Sequence, residues 1–316
     1  MKRILLLTFF ASVLFADFPY EKGEGSFDPW YAGSLLSTAG HIVEPGFYNI
    51  QPFVFVTTNY ANYQDNYSLK SSPNLTSISP LFFGQIGLTS FMDTAFTVQS
   101  FTKTRKGAWS TFIGDTTLGL GFQAYRSKRG DPVPFIRITI SEIFPTGKYD
   151  DLDPRKLGTD DTGSGSFRTI FGFNAQKTYY WNVQHPVRFR FNAKLSIPSK
   201  VSVSGFHHYG GDRETKGKIF PGYNILLLFS PEITLTQKWV ITTDLIYNHQ
   251  FKGSFKGREG MPGINKVPSS DSFTMTPSFE YNFTDSLGLV CGAWLTIFGR
   301  NTTAFASGVV TVTYTF

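Results

Sequence analysis

The chain has 316 residues, with 29 lysines and arginines against 23 aspartates and glutamates, so its formal net charge is +6 at pH 7. This small surplus, without any basic run, excludes a nucleic-acid-binding protein. After residue 16 no stretch approaches the roughly 18 consecutive apolar residues of a membrane-spanning helix, which excludes a helical membrane protein. Aromatic residues make up 17% of the chain, a content typical of the aromatic girdles of membrane barrels.

Residues 1–16, MKRILLLTFFASVLFA, have the pattern of a secretory signal peptide. Lys2 and Arg3 give a basic start, an apolar run follows, and small Ala16 ends it, although Leu14 stands where cleavage sites prefer a small residue. The run is too short to stay in the membrane as an anchor. The only cysteine, Cys291, permits no internal disulfide in this exported chain.

Residues 17–45 fit no strand pattern. The stretch PWYAGSLLSTAGH, residues 29–41, is apolar enough to pack against something. We expect it to form a short helix or turn in the periplasmic mouth of a barrel, as a periplasmic segment or plug. A disordered leader is the alternative.

Residues 46–316 alternate apolar and polar side chains in runs that polar gaps separate, which predicts about twelve strands. The predicted strands are 46–58, 79–90, 94–104, 111–125, 133–144, 166–178, 187–198, 219–235, 238–250, 271–283, 287–299 and 304–316. Most reach the roughly 9–11 residues that a tilted strand needs to cross a bilayer.

Long and short gaps alternate between these strands. The long ones, 59–78, 145–165, 199–218 and 251–270, follow odd-numbered strands. This is typical of a membrane barrel with long loops outside and short turns in the periplasm. The fold class predicted is therefore an all-β, antiparallel, up-and-down transmembrane barrel. A soluble β-sandwich is disfavoured, because it would have to expose strongly aromatic outward faces to water.

The last strand ends on an aromatic residue. Val310, Val312, Tyr314 and Phe316 lie on one side of SGVVTVTYTF, and threonines lie on the other. This end is similar to the C-termini of bacterial outer-membrane proteins, whose terminal aromatic residue is read by the barrel-assembly machinery. The resemblance implies that Phe316 is an assembly signal and that the protein lies in a bacterial outer membrane, with its lipid and that machinery as partners.

Two further stretches resemble a known family. They are IGDTTLGLGFQAY, residues 113–125, and FPTGKYDDLDPRKLGTDDTGSGSFRTIFGF, residues 144–173. The Gly-Asp strand, Pro-Thr-Gly exit and Gly-Ser-Gly return are similar to the "putative MetA-pathway of phenol degradation" family. Its members are outer-membrane barrels labelled as transporters and associated with the breakdown of aromatic compounds. The resemblance implies passage of small molecules and supplies no catalytic residues.

Strand parity assigns a set of charged side chains to the barrel lumen. Three consecutive strands carry Arg137, Arg168, Arg188, Arg190 and Lys194 as a basic wall, and other strands carry Asp115, Asp244 and Glu280. Two interpretations remain open: an electric field across the lumen that favours anions, or ion pairs that only stiffen the barrel.

The same parity also places apolar residues in the lumen, namely Phe53, Phe55, Leu226, Leu228 and Ile246. An apolar patch near a basic wall suits amphiphilic or aromatic acids.

The sequence offers no catalytic, metal or cofactor site. No histidine has a serine two residues later, as the outer-membrane phospholipases require. His207 and His208 lie near Asp212 and Glu214, but without recognisable metal-ligand spacing. The glycine-rich TDDTGSGS, residues 159–166, lacks a lysine and precedes a strand, which excludes a phosphate-binding loop.

The function predicted is an outer-membrane channel or transporter for small solutes. A closed barrel with a structural or surface-interaction role is the second interpretation, and a barrel enzyme is the third.

Overall fold

The computed structural model describes residues 29–128, 131–180, 182, 184–265 and 267–316. The predicted signal peptide, residues 1–16, lies outside the described residues, as do residues 17–28. Within the described ranges no helix is long and apolar enough to cross a membrane.

The described residues form strands and one short 3₁₀ helix. In chain order the elements are β1 (Tyr48–Tyr63), β2 (Leu69–Thr89), β3 (Met92–Arg105), β4 (Ala108–Ile113), β5 (Thr116–Tyr125), β6 (Phe135–Phe144), the 3₁₀ helix (Pro154–Lys156), β7 (Arg168–Tyr179), β8 (Val187–Pro198), β9 (Val201–Ser204), β10 (Lys216–Phe220), β11 (Asn224–Thr234), β12 (Trp239–Gln250), β13 (Ser254–Arg258), β14 (Ser270–Asn282), β15 (Leu287–Arg300) and β16 (Thr302–Thr315).

Twelve of these strands form one closed antiparallel barrel, which confirms the predicted fold class. Around the ring the order is β1, β2, β3, β5, β6, β7, β8, β11, β12, β14, β15 and β16. The ring closes between β1 and β16, where Val54 lies opposite Val310. Beyond that ladder, Tyr48 and Phe316 exchange two backbone hydrogen bonds of 2.8 and 2.9 Å. Closure leaves no unpaired barrel edge, as a bilayer requires.

The outer surface of the barrel is apolar and the inner surface is mostly polar. On β16, Val310 and Val312 point outward, while Thr311 between them is 3% exposed. Strand β8 has the predicted bounds, and its Leu195 and Ile197 also point outward. Aromatic rings gather at the barrel ends, as on Trp239 and Tyr281, whose ring centroids are 4.7 Å apart. A closed barrel with this exterior is an outer-membrane protein, so the predicted location is confirmed.

The predicted strand 111–125 is interrupted. Strands β4 and β5 both pair with β3, one after the other, and the break falls at Gly114 and Asp115. The Asp115 carboxylate accepts hydrogen bonds from the backbone N–H groups of Gly147 and Ser164, at 3.0 and 2.9 Å. Asp115 therefore holds the long loop between β6 and β7 against the barrel.

The first predicted long loop, residues 59–78, is mostly strand. Strands β1 and β2 continue as a paired hairpin, with Tyr63 opposite Leu69, and only residues 64–68 form the turn. The sequence interpretation missed this extension because both faces of it are polar. Beyond the bilayer both faces of a hairpin can be exposed to water. The alternation of apolar and polar side chains that marks a lipid-crossing strand is therefore absent there.

A second, three-stranded sheet of β9, β10 and β13 stands at the end of the barrel with long connections. It occupies parts of the two segments predicted as loops, 199–218 and 251–270, and it divides the predicted strand 219–235 into β10 and β11. Val201, Val203 and Ile219 on one of its faces are buried against loop residues that include Tyr149 and Tyr209. We call this end the long-loop end and the opposite one, with turns such as 90–91 and 283–286, the short-turn end.

Candidate solute pathway

Residues 29–45 lie inside the barrel lumen as an extended segment, rather than as the predicted short helix or turn. Backbone N–H groups spaced mostly two residues apart donate to side chains of the barrel wall. The donors and acceptors are Ala32 to Glu280, Leu36 to Asp244 at 2.8 Å, Thr38 to Asn192 at 2.8 Å, Gly40 to Gln176 at 3.3 Å, Ile42 to Gln123 at 2.9 Å and Val43 to Asp93 at 3.0 Å. Because an extended chain repeats every two residues, one row of its N–H groups faces the wall.

The wall residues come from β14, β12, β8, β7, β5 and β3, so the segment follows about half of the inner circumference. Two of these side-chain amides, Asn192 and Gln123, each also donate a hydrogen bond to a backbone carbonyl of the segment. Asn192 donates to the Thr38 carbonyl at 2.9 Å, and Gln123 donates to the Gly40 carbonyl at 3.0 Å. These side chains do for the segment what a neighbouring strand does in a sheet, and they satisfy its buried backbone.

The other side of the segment is apolar. Leu35 is 2% exposed and packs in a cluster with Phe55, Val290 and Val309, which belong to β1, β15 and β16. The segment thus joins the polar half of the lumen to an apolar half. Phe53 and Phe55, which parity had assigned to the lumen, line this apolar half.

The predicted basic wall is largely ion-paired. Arg137 pairs with Asp93 at 2.6 Å, and both side chains are buried. Arg188 and Arg190 both pair with Glu232, with an Arg190 Nε to Glu232 Oε1 distance of 2.7 Å. The ring of Tyr31 lies 3.7 Å from the Arg188 guanidinium. A buried guanidinium requires such compensation, since an uncompensated buried charge is strongly unfavourable.

Two cations of the predicted wall differ from these. Lys194 donates to the Thr38 hydroxyl at 3.1 Å, and within the described part of the chain it forms no ion pair. Arg168 lies on the lumen face of β7 at the long-loop end, beside Tyr209. The structure therefore places Lys194 at the middle of the lumen and Arg168 near its mouth.

The predicted acids do not pair with the basic wall. Asp244 and Glu280 bind backbone N–H groups of residues 29–45, and Asp115 binds the β6–β7 loop. The acids that do pair with it, Asp93 and Glu232, were missed. Asp93 lies between the predicted strands 79–90 and 94–104, where parity assigns no direction, whereas parity within the predicted strand 219–235 does place Glu232 inward.

A cavity of about 630 Å³ remains between the segment and the barrel wall. Its charged lining consists of Arg137, Arg188, Arg190 and Lys194 together with one acid, Glu44. Strands β1 and β2 contribute the apolar residues Phe53, Phe55, Leu81 and Phe83. In a twelve-stranded ring β1 and β8 are six strands apart, so the aromatic side chains of β1 and the cations of β8 come from opposite sides of the barrel. The segment contacts both sides, because Leu35 packs on Phe55 and Arg190 donates to the Ser37 carbonyl.

The two histidines of the loop 205–215 make protein contacts. His207 Nε2 lies 3.0 Å from the Asn265 side chain, and His208 Nδ1 lies 3.0 Å from the Asp161 carboxylate. Burial lowers the pKa of His207 below its ordinary value. Among the residues that the structure describes, no cluster of histidine, cysteine and acidic side chains is arranged to hold a metal ion.

No family model matches this chain, and no curated protein matches its sequence. Among solved structures it is similar to an outer membrane channel from Pseudomonas putida F1, with a TM-score of 0.69 and 12% identity over 90% of this chain and 100% of that chain. The translocator domain of autotransporter NalP from Neisseria meningitidis gives a TM-score of 0.42 and 11% identity, over 84% of this chain and 88% of that chain. The CymD monoaromatic hydrocarbon channel gives 0.41 and 9%, over 86% and 88% of the two chains.

The likeness to the P. putida channel extends over nearly the whole of both chains. At 12% identity it shows a shared architecture and says nothing about the solute. The outer-membrane barrel that the sequence resemblance implied is thereby confirmed at the level of the fold. The chain has the fold of an outer membrane channel.

Proposed function

We propose that this protein is an outer-membrane channel for small solutes, and that its preferred solutes are small amphiphilic anions such as aromatic acids. The observation that carries the proposal is the lumen cavity of about 630 Å³ with cations on one wall and aromatic side chains on the other. Its volume lies within the roughly 300–1,000 Å³ of cavities that hold small organic molecules.

The charge balance of the cavity supports an anionic solute. Asp93 pairs with Arg137, and Glu232 pairs with both Arg188 and Arg190, on which the charge of Glu280 also acts. Lys194 has no carboxylate partner among the described residues and lines the cavity directly. The charged side chains that line the cavity directly are four cations and one acid, Glu44, and this mostly cationic surface raises the local concentration of small anions.

The opposite wall supports an apolar portion on the same solute. Phe53 and Phe55 of β1 stack on each other with ring centroids 5.8 Å apart, and both line the cavity. An aromatic ring gains free energy by leaving water for such a surface, with a preference for offset or edge-to-face contacts. A solute with a carboxylate at one end and a ring at the other satisfies both walls at once.

The test compares the native protein with Lys194→Gln in planar bilayers and in proteoliposomes. We expect the native channel to prefer anions at asymmetric salt and to pass benzoate faster than benzyl alcohol of similar size. Lys194→Gln should shift the reversal potential toward cations and reduce the benzoate preference. Lys106→Gln removes the same charge from the exposed β3–β4 turn and serves as the matched control.

An unchanged selectivity in a folded Lys194→Gln channel would contradict the anion preference. A native protein with neither current nor solute flux would contradict the channel itself. The occupied lumen favours a second candidate in that case, a closed barrel that residues 29–45 seal permanently through their contacts with both halves of the wall. That barrel would have a structural or surface-interaction role, and it would show no flux under any of these conditions.

A further inference from the structure

The small sheet of β9, β10 and β13 has two very different faces. One face is apolar, where Val201, Val203 and Ile219 are buried under the loops. The other face carries exposed cations from β10 and β13, namely Lys216, Lys218, Lys256 and Arg258. We call these four residues the cationic face.

The register of the sheet brings these cations together. Lys216 lies directly opposite Arg258, and Lys218 lies directly opposite Lys256. Like charges at opposed positions of an antiparallel pair destabilise it. On the third strand the neighbours of Lys216 and Lys218 are the uncharged Ser204 and Ser202. The sheet therefore holds two repulsive pairs side by side, with no acid at any position of that face.

Acidic side chains near the cationic face compensate little of this charge. Arg258 pairs with Glu214 at 2.8 Å, and both groups are exposed, so the pair is weak and screened by salt. Across the described ranges, Lys216, Lys218 and Lys256 form no ion pair. Asp212 instead accepts the Met261 N–H at 2.7 Å.

Protection of the sheet edges accounts for at most two of the four cations, Lys256 and Arg258 on β13. Exposed lysines on edge strands do discourage pairing with other chains. Strands β9 and β13 are the edges here, whereas Lys216 and Lys218 belong to β10, the central strand. Two lysines on a central strand, each opposite another cation, point to a role outside the sheet.

The position of the face above the barrel indicates its partner. Strand β9 begins three residues after β8 ends, and Ile197 of β8 is still on the lipid-facing side. From Ile197 to Ser202, which lies beside Lys218, the extended chain covers at most about 17 Å. With the long-loop end outside the cell, as is typical of outer-membrane barrels, the cations lie close above the outer leaflet.

We propose that the cationic face binds the phosphate groups of the phosphorylated glycolipid that forms the outer leaflet of the bacterial outer membrane. Lysine ammonium groups bind phosphate as point charges, and the Arg258 guanidinium offers it paired N–H donors. A phosphate between opposed cations removes the repulsion that the register imposes. This inference goes beyond the channel function and does not depend on it.

The experiment measures binding of purified bis-phosphorylated lipid A to the detergent-solubilised full-length protein, by native mass spectrometry and thermophoresis. The test variant is Lys216→Gln with Lys218→Gln and Lys256→Gln. The matched control removes the same charge elsewhere, by Lys106→Gln with Lys128→Gln and Lys238→Gln, three exposed positions in barrel turns. We expect the test variant to bind lipid A at least about tenfold more weakly and the control to bind as the native protein does.

Three outcomes would overturn the proposal. They are equal weakening in the test and control variants, equal binding of dephosphorylated lipid A, and binding of inorganic phosphate as tight as that of lipid A. If the test variant fails the heat-shift assay for a folded barrel, Ser202→Glu with Ser204→Glu replaces it. These substitutions add acids beside Lys216 and Lys218 while keeping every lysine, and unchanged lipid A binding by that variant would equally overturn the proposal.

Discussion

Asn192 and Thr38 are joined by two hydrogen bonds of 2.8 and 2.9 Å, one in each direction between a side-chain amide and a backbone peptide. This is the bonding that one strand offers another, supplied here by a single side chain on the inner wall of a barrel. The barrel can therefore hold an extended segment in its lumen without adding a strand. The segment is consequently attached by individual contacts, each of which a substitution can remove.

Replacing Gly40 with valine should loosen the N-terminal segment and raise the channel conductance. A Cβ atom at residue 40 would lie 2.7 Å from the backbone nitrogen of Gln176, so the segment would have to move off strand β7. Single-channel recording in planar bilayers measures the effect. Gly308→Val is the matched control, because a Cβ atom there meets no atom within 4 Å. Equal conductance in the native protein and in Gly40→Val would show that the segment does not obstruct the pathway.

Replacing Glu232 with glutamine should destabilise the barrel strongly. Glu232 is fully buried and pairs with Arg188 and Arg190, so its loss leaves two buried guanidinium groups without their carboxylate. Breaking a buried ion pair from one side costs about 3–5 kcal/mol. Denaturant unfolding of the folded barrel in detergent checks this. Glu214→Gln removes an exposed partner of Arg258 and should change the unfolding midpoint little, and similar midpoints for the two variants would contradict the prediction.

Replacing Phe316 with aspartate should lower the amount of assembled barrel in the membrane far more than Thr315→Ala does. The Phe316 ring stacks on Tyr48 and Tyr314, with centroids 5.5 and 5.1 Å apart, at the junction of the first and last strands. The substitution places a charge at the membrane interface and removes the terminal aromatic ring. Heat-shift gels of outer-membrane fractions measure assembly. Equal amounts of all variants would show that Phe316 is not an assembly signal.

The long-loop end should be accessible from outside the cell. In a Cys291→Ser background, Ser71→Cys and Ser254→Cys should react with an impermeant maleimide on intact cells, whereas Lys128→Cys should not. Ser71 and Ser254 are exposed at the long-loop end, and Lys128 is exposed in the β5–β6 turn. Gly257 is unsuitable as a labelling site, because a Cβ atom there would lie 2.5 Å from Gly217. Labelling of Lys128→Cys on intact cells would show that the barrel has the opposite orientation, with its short-turn end outside.

Strands were predictable wherever lipid imposes the pattern. The bounds of β8 agree with the prediction at both ends, since Val187–Pro198 alternates apolar and polar residues throughout. Where the chain leaves the bilayer, that constraint ends. Strands β9, β10 and β13 were missed for this reason, because they are short and rest on loops rather than on lipid.

The lumen contacts were less predictable than the strands. Parity can indicate that Arg188 and Arg190 point inward, but it cannot tell which acid meets them. That depends on which strands are neighbours, and β11 brings Glu232 directly opposite Arg188. The binding of residues 29–45 could not be predicted either, because a polar side chain that receives a backbone N–H looks the same in sequence as one that faces water.

The contacts of the N-terminal segment also constrain the order in which the barrel assembles. Its hydrogen-bonding partners include Asp93, 50 residues from Val43, and Glu280, 248 residues from Ala32. This segment precedes every strand of the described residues, yet its last partner is not in place until β14 has joined the sheet. Contacts with both β3 and β14 require a nearly complete ring, so the earliest part of the described chain is among the last to settle. A barrel caught during assembly would therefore lack these lumen contacts, and docking of the segment would be among the final events of its biogenesis.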